Sequence, residues 1–425
     1  VTFRAPRGTA DILPADQPYW SMIRRTAAGV AAAFGYGRID TPTFEDTRLF
    51  TRGVGEETDV VQKEMYTFED HGGDPQTLRP EGTASVCRAY LQHGMQNLPQ
   101  PVRLYYDAPM YRYERPQAGR LRQHHQFGVE AIGDPSPQVD AEVIELGWQY
   151  LTSLGLKGLT VKVNSIGDPA CRPAYLEELR AYYAGRVQHM CEDCKRRIER
   201  SPLRLLDCKK GPCIRQSEEA PRSTEYLCGE CRDHWEDVLS HLQALTGPYP
   251  DLRYETDHRL VRGLDYYTRT VFEVHPAEEG AQSGVLAGGR YDGLMEQIGG
   301  PPTPGIGFGS GIERLILNLK RQGSEECAAP GIDVVAVHVG ERARHRAAVL
   351  ATELRLLGRS VVVAPAGRGV RSQMRYANAL SARFALILGD RELERGIAAL
   401  KPLDGGEQID VPLDASTVAR AVEGG

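Results

Sequence analysis

Apolar residues recur at helical spacing through residues 16–34, "DQPYWSMIRRTAAGVAAAF", behind an aspartate placed to cap, and predict a first helix. The chain then turns extended in "GYGRIDTPTF", up to Pro42. From Val102 the aromatic-rich alternation "VRLYYDAPMYRYE" reads as a strand; "RPQAGRLR" interrupts it with Pro, Gly and three cations, and "QHHQFGVEAIG" resumes extended character. A strand, a basic loop and a returning strand follow from that order.

A helix at about 138–154 and a strand and turn in "GLTVKVNSIGD" come next. Residues 171–247 differ: charged and helical in pattern, they read as an insertion outside the main sheet. Strand patterns return at 267–275 and 283–288, and a glycine-rich strand runs into a helix in "PGIGFGSGIERLILNLKRQ". Composition turns to linker at 323–331. Strands then alternate with helices through "DVVAVHV", "SVVVAPA" and "FALILG", which predicts a small α/β domain with a largely parallel sheet. Pattern alone supports a mixed α and β protein of two or three domains, without repeats or low-complexity tracts.

Composition narrows the class. The 425 residues are 41% hydrophobic and 25% charged, ordinary for soluble globular protein. No apolar run reaches the ~18 residues of a membrane helix, and "VTFRAPRGTADILP" lacks the layout of a signal peptide, so a cytoplasmic location with no membrane contact is expected. A net charge of −6 gives no global basic footprint for nucleic acid. Residues 331–425 are the less acidic part, with 13 Lys and Arg against 11 Asp and Glu, a net of +2 that leaves −8 for the remainder.

Candidate chemistry begins at "LVRGLDYYTRTVFEV" (260–274), where Arg262, Asp265 and the Tyr266–Tyr267 pair stand at the mouth of a strand. In the basic loop Arg112, Arg115, Arg120 and Arg122 accompany Glu114, while Gln126 and Glu130, four apart on the returning strand, share one face. Glu81 and Thr83 precede a helical run, where capping suits Thr83 and dipole compensation suits Glu81; either could instead face a ligand ammonium. Glycines at 305, 307, 309 and 311 leave one strand face bare ahead of Arg314. The spacing fits neither a dinucleotide fingerprint nor a P-loop. Convergence of Arg112, Arg262 and Arg314 would instead suit a polyanion, as phosphoryl or nucleotidyl transfer requires.

Nine cysteines in a reducing compartment argue for metal rather than disulfides. "CEDC" (Cys191, Cys194) and "CGEC" (Cys228, Cys231) are separated by 33 residues, with Cys208 and Cys213 between them. Four thiolates in two such pairs suit one tetrahedral structural zinc with no open position for water.

Five segments in order resemble the class II aminoacyl-tRNA synthetases, and within them the histidyl-tRNA synthetase family. "GYGRIDTPTFE", "YYDAPMYRYERPQAGRLRQHHQFGVEAIG" and "PGIGFGSGIERLIL" are similar to the three class motifs; "LVRGLDYYTRTVFEV" and "AGGRYDGL" (287–294) are similar to the two histidine-specific segments. The resemblance runs from "PRGTADILP" to "SARFALILGDREL" and covers the cysteine-rich segment only loosely. One departure is Tyr113, where many members carry histidine.

The resemblance implies an α+β fold: a class II antiparallel sheet flanked by helices, a helical insertion and a C-terminal α/β anticodon-binding domain. The corresponding boundaries are 1–170 and 251–325 for the two parts of the catalytic domain, 171–250 for the insertion and 331–425 for the anticodon-binding domain. It implies ATP with Mg2+, L-histidine and the histidine tRNA as partners, and a homodimer through the first motif. Arg112 and Arg314 would hold ATP phosphates, with Glu114 and Arg120 positioning the nucleotide. Arg262 would be the catalytic cation, alongside Arg112. Glu81, Thr83 and Gln126 would meet the amino acid's backbone groups; Glu130, Tyr266 and Tyr267 would meet the imidazole, with Tyr291 nearby. Apart from the resemblance, Arg368, Arg371 and Arg375 around the second helix of the last domain could contact tRNA phosphates or anticodon bases, as in an RNA-binding module, against the default of a solvated helix face. The implied activity forms histidyl-adenylate and then charges tRNA. The alternative is an inactive relative that serves as regulatory subunit of ATP phosphoribosyltransferase, a class that typically loses the catalytic segments and last domain retained here.

Overall fold

The computed structural model describes residues 3–55, 58, 60–116, 119–277, 284–323 and 331–423, so most of the expected linker lies outside the described residues. Two compact units divide the chain, Val1–Glu325 and Glu326–Gly425.

In the first unit, α1 (Gln17–Ala33) buries the stripe Trp20, Ile23, Ala27 and Val30. Asp16 stands at its start but makes no capping bond, and accepts instead from Lys320 at 2.7 Å. The extended segment divides into β1 (Gly37–Arg38) and β2 (Phe44–Asp46), followed by α2 (Thr47–Val54). β3 (Tyr66–Glu69) and β4 (Pro75–Leu78) join β2 in a small antiparallel sheet not foreseen from pattern, and α3 (Thr83–Gln92) follows.

β5 (Val102–Tyr111) and β6 (Gln123–Ile132) form the expected hairpin, paired from Val102 opposite Ile132 to Tyr111 opposite Gln123. After α4 (Pro137–Ser153) and β7 (Thr160–Ser165) comes the helical segment: α5 (Arg172–Ala184), α6 (Glu192–Arg200), α7 (Gly211–Glu218) and α8 (Gly229–Leu245). The last of these packs against α4, and its Trp235, Val238 and Leu242 belong to the core beneath the main sheet. β8 (Tyr254–Thr256), β9 (Thr268–His275), β10 (Leu286–Arg290), α9 (Leu294–Gln297), β11 (Gly305–Gly311) and α10 (Ile312–Arg321) complete the unit.

The main sheet has the order β1-β5-β6-β11-β10-β9-β7-β8, antiparallel except for the parallel edge strands β1 and β8. Period-2 alternation sorts its two faces. Phe127, Val129 and Ala131 of β6, with Ile306 and Phe308 of β11, face a core shared with α1, α4, α8 and α10. Tyr106 and Met110 of β5 face the other way, into a core that includes residues of α2, α3, α9 and α5 to α7. The site lies on this second face.

The second unit contains β12 (Val334–His338), α11 (Glu341–Leu356), β13 (Val361–Val363), α12 (Val370–Ala379) and β14 (Phe384–Leu388). It continues through α13 (Asp390–Arg395), β15 (Ile397–Pro402), β16 (Ile409–Pro412) and α14 (Ala415–Glu423). β12, β13 and β14 are parallel as expected, but β15 and β16 add an antiparallel hairpin, so the order β13-β12-β14-β15-β16 is mixed. Gly405, at φ +112°, sits in the turn that allows this return. No helix among the described residues is long and apolar enough to cross a membrane.

Candidate active site

The pairing of β6 with β11 sets the floor. Glu130 lies opposite Gly307 and Gln126 opposite Gly311. A Cβ at Gly307 would overlap the Glu130 carboxylate and the Val129 carbonyl, and one at Gly305 would strike the Tyr291 ring. Those two glycines therefore make room for protein side chains, rather than for a flat ligand as the bare strand suggested. Gly309 and Gly311 do open onto the cavity, which has a volume of about 240 Å³.

Glu81, Thr83, Arg112, Glu114, Arg120, Gln126, Arg262, Tyr266, Tyr267, Tyr291 and Arg314 all line that cavity. Glu130 is wholly buried, directly beneath two of the lining side chains. Its carboxylate accepts from Thr83 Oγ1 at 2.7 Å and from Tyr291 Oη at 2.6 Å. Burial pushes Glu130 up to about 8, against the pull of its bonds from Tyr291 and Thr83. Glu81, also raised by burial, accepts from the backbone N–H groups of Thr83 and Ala84 at 2.7 and 2.8 Å, and Tyr266 Oη reaches it at 3.5 Å. Capping therefore falls to Glu81, and the Thr83 hydroxyl, expected to cap, serves Glu130 instead. Two acidic side chains are thus tied together by one threonine.

Four arginines share the same cavity. Arg112 Nε donates to the Pro80 carbonyl at 2.7 Å, and its backbone N–H closes the hairpin onto the Arg122 carbonyl at 2.8 Å. Arg120 forms an ion pair with Glu114, and Arg314 Nη1 donates to the Gly284 carbonyl at 2.6 Å. Arg262 Nη1 meets Glu273 at 2.5 Å, the Arg262 guanidinium carbon lies 5.6 Å from the Tyr267 ring centre, and its Nε is buried without a partner. Burial disfavours the charge on Glu273, yet the hydrogen bond from His275 and the Arg262 charge pull it down to about 2. The three arginines that sequence grouped do share one cavity.

Three contributors escaped the sequence reading. Tyr106 fills the space over Gly82 and Gly128, where an added Cβ would strike its ring. The available signal was an aromatic on β5 opposite a glycine on β6. His124 lines the cavity, and burial followed by the Arg112 charge holds it down at about 3, so it adds no further positive charge near neutrality. Glu273 was legible only as a polar residue within a strand. Tyr113, the departure noted above, is 54% exposed; it packs edge-on against Tyr66 and carries the Arg122 guanidinium over its ring.

The cysteine assignment requires correction. Cys191, Cys194, Cys228 and Cys231 do not form one site among the described residues. Cys191 and Cys194 group with Cys208 and Cys213, whereas Cys228 and Cys231 group with Cys171 and Asp168. The reason is packing: "CEDC" opens α6 in the core above the sheet, and "CGEC" opens α8, whose apolar face joins the core below it.

A largely antiparallel sheet carrying arginines and buried carboxylates about one cleft is the catalytic layout of a class II aminoacyl-tRNA synthetase. The family model described as "Histidyl-tRNA synthetase" matches residues 8–315, and that described as "Anticodon binding domain" matches residues 333–417. A histidine–tRNA ligase of Dehalococcoides mccartyi is 52% identical over 412 residues, 97% of each chain, and one of Desulforamulus reducens is 47% identical over 408 residues, 96% of each. The crystal structure of apo S. aureus histidyl-tRNA synthetase superposes with a TM-score of 0.80 at 38% identity, covering 99% of both chains. The chain belongs to the histidyl-tRNA synthetase family, and its activity is the ligation of histidine to tRNA.

Proposed function

We propose that this chain works in the cytoplasm as a homodimer, activating L-histidine with ATP and then charging the histidine tRNA, with the cavity residues in the following roles. Residues 1–170 and 251–325 supply the catalytic domain, 171–250 the insertion and 331–425 the anticodon-binding domain. The observation that carries the reading is the convergence in one cavity of Glu81, Arg112, Arg262 and Arg314, with Glu130 buried beneath Thr83 and Tyr291.

Glu81 and Gln126, with Thr83, take the backbone groups of histidine; Glu130, Tyr266, Tyr267 and Tyr291 take the imidazole. Pairing of the ring nitrogens in a buried site rejects apolar isosteres, because their binding would leave those polar groups unmatched. Arg112 and Arg314 hold the triphosphate, while Glu114 and Arg120 orient the nucleotide. Mg2+ bound with ATP would supply further neutralisation of the phosphate charge. A histidine carboxylate oxygen attacks the α-phosphorus, the bond to the bridging oxygen breaks, and pyrophosphate leaves. Arg262 stabilises the charge on the pentavalent centre. A ribose hydroxyl of the terminal adenosine then attacks the activated carbonyl and AMP departs. In the second unit Arg368, Arg371 and Arg375 are exposed about the start of α12, where they suit RNA phosphates.

Pyrophosphate exchange into ATP, run with each of the twenty amino acids and no tRNA, tests this reading. Exchange with histidine alone is expected; its absence in folded protein that still binds histidine would overturn the activation chemistry and favour the regulatory alternative.

A further inference from the structure

Seven of the eight described cysteines gather in two places, and both have the makings of a metal centre. In the first, the sulfurs of Cys191, Cys194, Cys208 and Cys213 all lie within 4.8 Å of one another. Cys191 and Cys208 are 3.9 Å apart, close to the edge of about 3.8 Å that a tetrahedron with Zn–S bonds of about 2.3 Å requires. The backbone N–H of Cys191 donates to Cys213 Sγ at 3.2 Å, the kind of bond that orients a thiolate ligand from outside the coordination sphere. Cys194 and Cys213 are buried, yet ordinary core packing has no reason to bring four polarisable, weakly polar sulfurs to one point from two helices and a loop.

In the second, Asp168, Cys171, Cys228 and Cys231 converge within the same limit. Asp168 and Cys171 form the turn after β7, and Cys228 and Cys231 open α8, so this group joins the main sheet to a helix sixty residues on. Three thiolates and a carboxylate would carry two net negative charges around a divalent ion. Arg269, held at φ +51°, places its guanidinium 3.6 Å from Asp168 and offsets that charge.

We propose that residues 168–231 hold two separate structural zinc ions, one on the Cys191–Cys194–Cys208–Cys213 group and one on the Asp168–Cys171–Cys228–Cys231 group. Both sites are closed, with four protein ligands each and no position for water, so the ions fasten structure and take no part in chemistry. Each thiol releases its proton to solvent on binding. The first ion clips α6 to α7. The second positions the active-site wall: the residue after Cys171 is Arg172, whose Nη2 donates to the Tyr267 carbonyl at 2.6 Å and to the Gly167 carbonyl at 2.9 Å. Zinc on Cys171 therefore fixes the root of the arginine that holds Tyr267 in place.

Elemental analysis of the full-length protein, grown with zinc and dialysed into metal-free buffer under reducing conditions, should return two zinc ions per chain. Cys208→Ser and Cys228→Ser should each return one. The Cys228→Ser protein should also show a KM for histidine raised about fivefold, with the KM for ATP unmoved. That last effect alone rests on the function proposed above; the zinc count does not, so the two can fail separately. Should a variant not fold, cobalt substitution of the native chain keeps the question open to measurement: two equivalents should generate thiolate-to-cobalt charge-transfer and tetrahedral d–d absorption. Fewer than two zinc ions in folded native chain, iron in their place, or disulfides in protein kept reduced would overturn the proposal.

Discussion

Tyr291 donates its hydroxyl to Glu130 at 2.6 Å across the floor of the cavity, in space that exists because residue 307 has no side chain. Glu130→Gln keeps the shape of the side chain but removes its capacity to ionise against a bound imidazole. A hydrogen bond to a charged group is worth about 1.5–3 kcal/mol, so the KM for histidine should rise about 10- to 100-fold while that for ATP holds. Steady-state kinetics in each substrate measures both.

The same carboxyl gives a pH dependence with a definite sign. Its folded value of about 8 lies above its ordinary 4.5, so the folded chain keeps a proton that the unfolded chain gives up. The stabilisation is complete below about pH 4.5 and drains away as pH rises through about 8. Urea titrations of the ligand-free protein between pH 5 and 8.5 should show this decline, and Glu130→Gln should flatten it. An unchanged slope in the variant would assign the titration elsewhere.

Arg262 is held toward the cavity by Glu273, itself kept ionised by His275. Arg262→Ala should lower adenylate formation about 10²- to 10³-fold, the usual cost of losing one fixed donor to developing charge. Single-turnover pyrophosphate release reads this directly. A rate near that of the native chain would remove the residue from the chemistry.

Gly307 and Gly309 are two apart on β11 but meet different surroundings. Gly307→Ala should lose about 1–3 kcal/mol in chemical denaturation, because its methyl would press on a backbone carbonyl as well as on Glu130. Gly309→Ala, whose methyl would stand 3.5 Å from the Gln126 amide, should cost distinctly less. Equal losses would mean that strand propensity, not the Glu130 pocket, sets the requirement.

Asp140 on α4 and Arg290 on β10 form a fully buried ion pair, joined by His234 of α8 at 2.8 Å from Asp140 Oδ2. Burial opposes the charge on Asp140, but Arg290 outweighs it and holds the carboxyl below its usual range. Asp140→Asn leaves a buried guanidinium poorly matched and should cost about 3–5 kcal/mol. Urea unfolding checks this; a loss under about 1 kcal/mol would show that Asp292, 3.1 Å from Arg290, suffices alone.

Local sequence determined a great deal of this chain. The period-2 run through β5 and β6, the glycine-rich strand ahead of Arg314 and the alternation of strands and helices after residue 331 are each encoded in their own ten or so residues, so pattern reveals them. Most side chains that line the cavity were legible too, because charged and amide groups at strand mouths are out of place in a core.

Partnership was decided by tertiary structure. Which cysteine meets which depends on the core each helix joins, so the two C-x-x-C pairs, similar in sequence, ended on opposite faces of the sheet. Thr83 stood at a helix start and could have capped it; only the approach of β6 gave its hydroxyl the Glu130 carboxylate. The link between Asp140, His234 and Arg290 spans 150 residues and leaves no trace in any local pattern. Spacing along a chain fixes what a residue can reach within its own element. What it touches across elements is settled by packing, which depends on every other residue that the fold must bury.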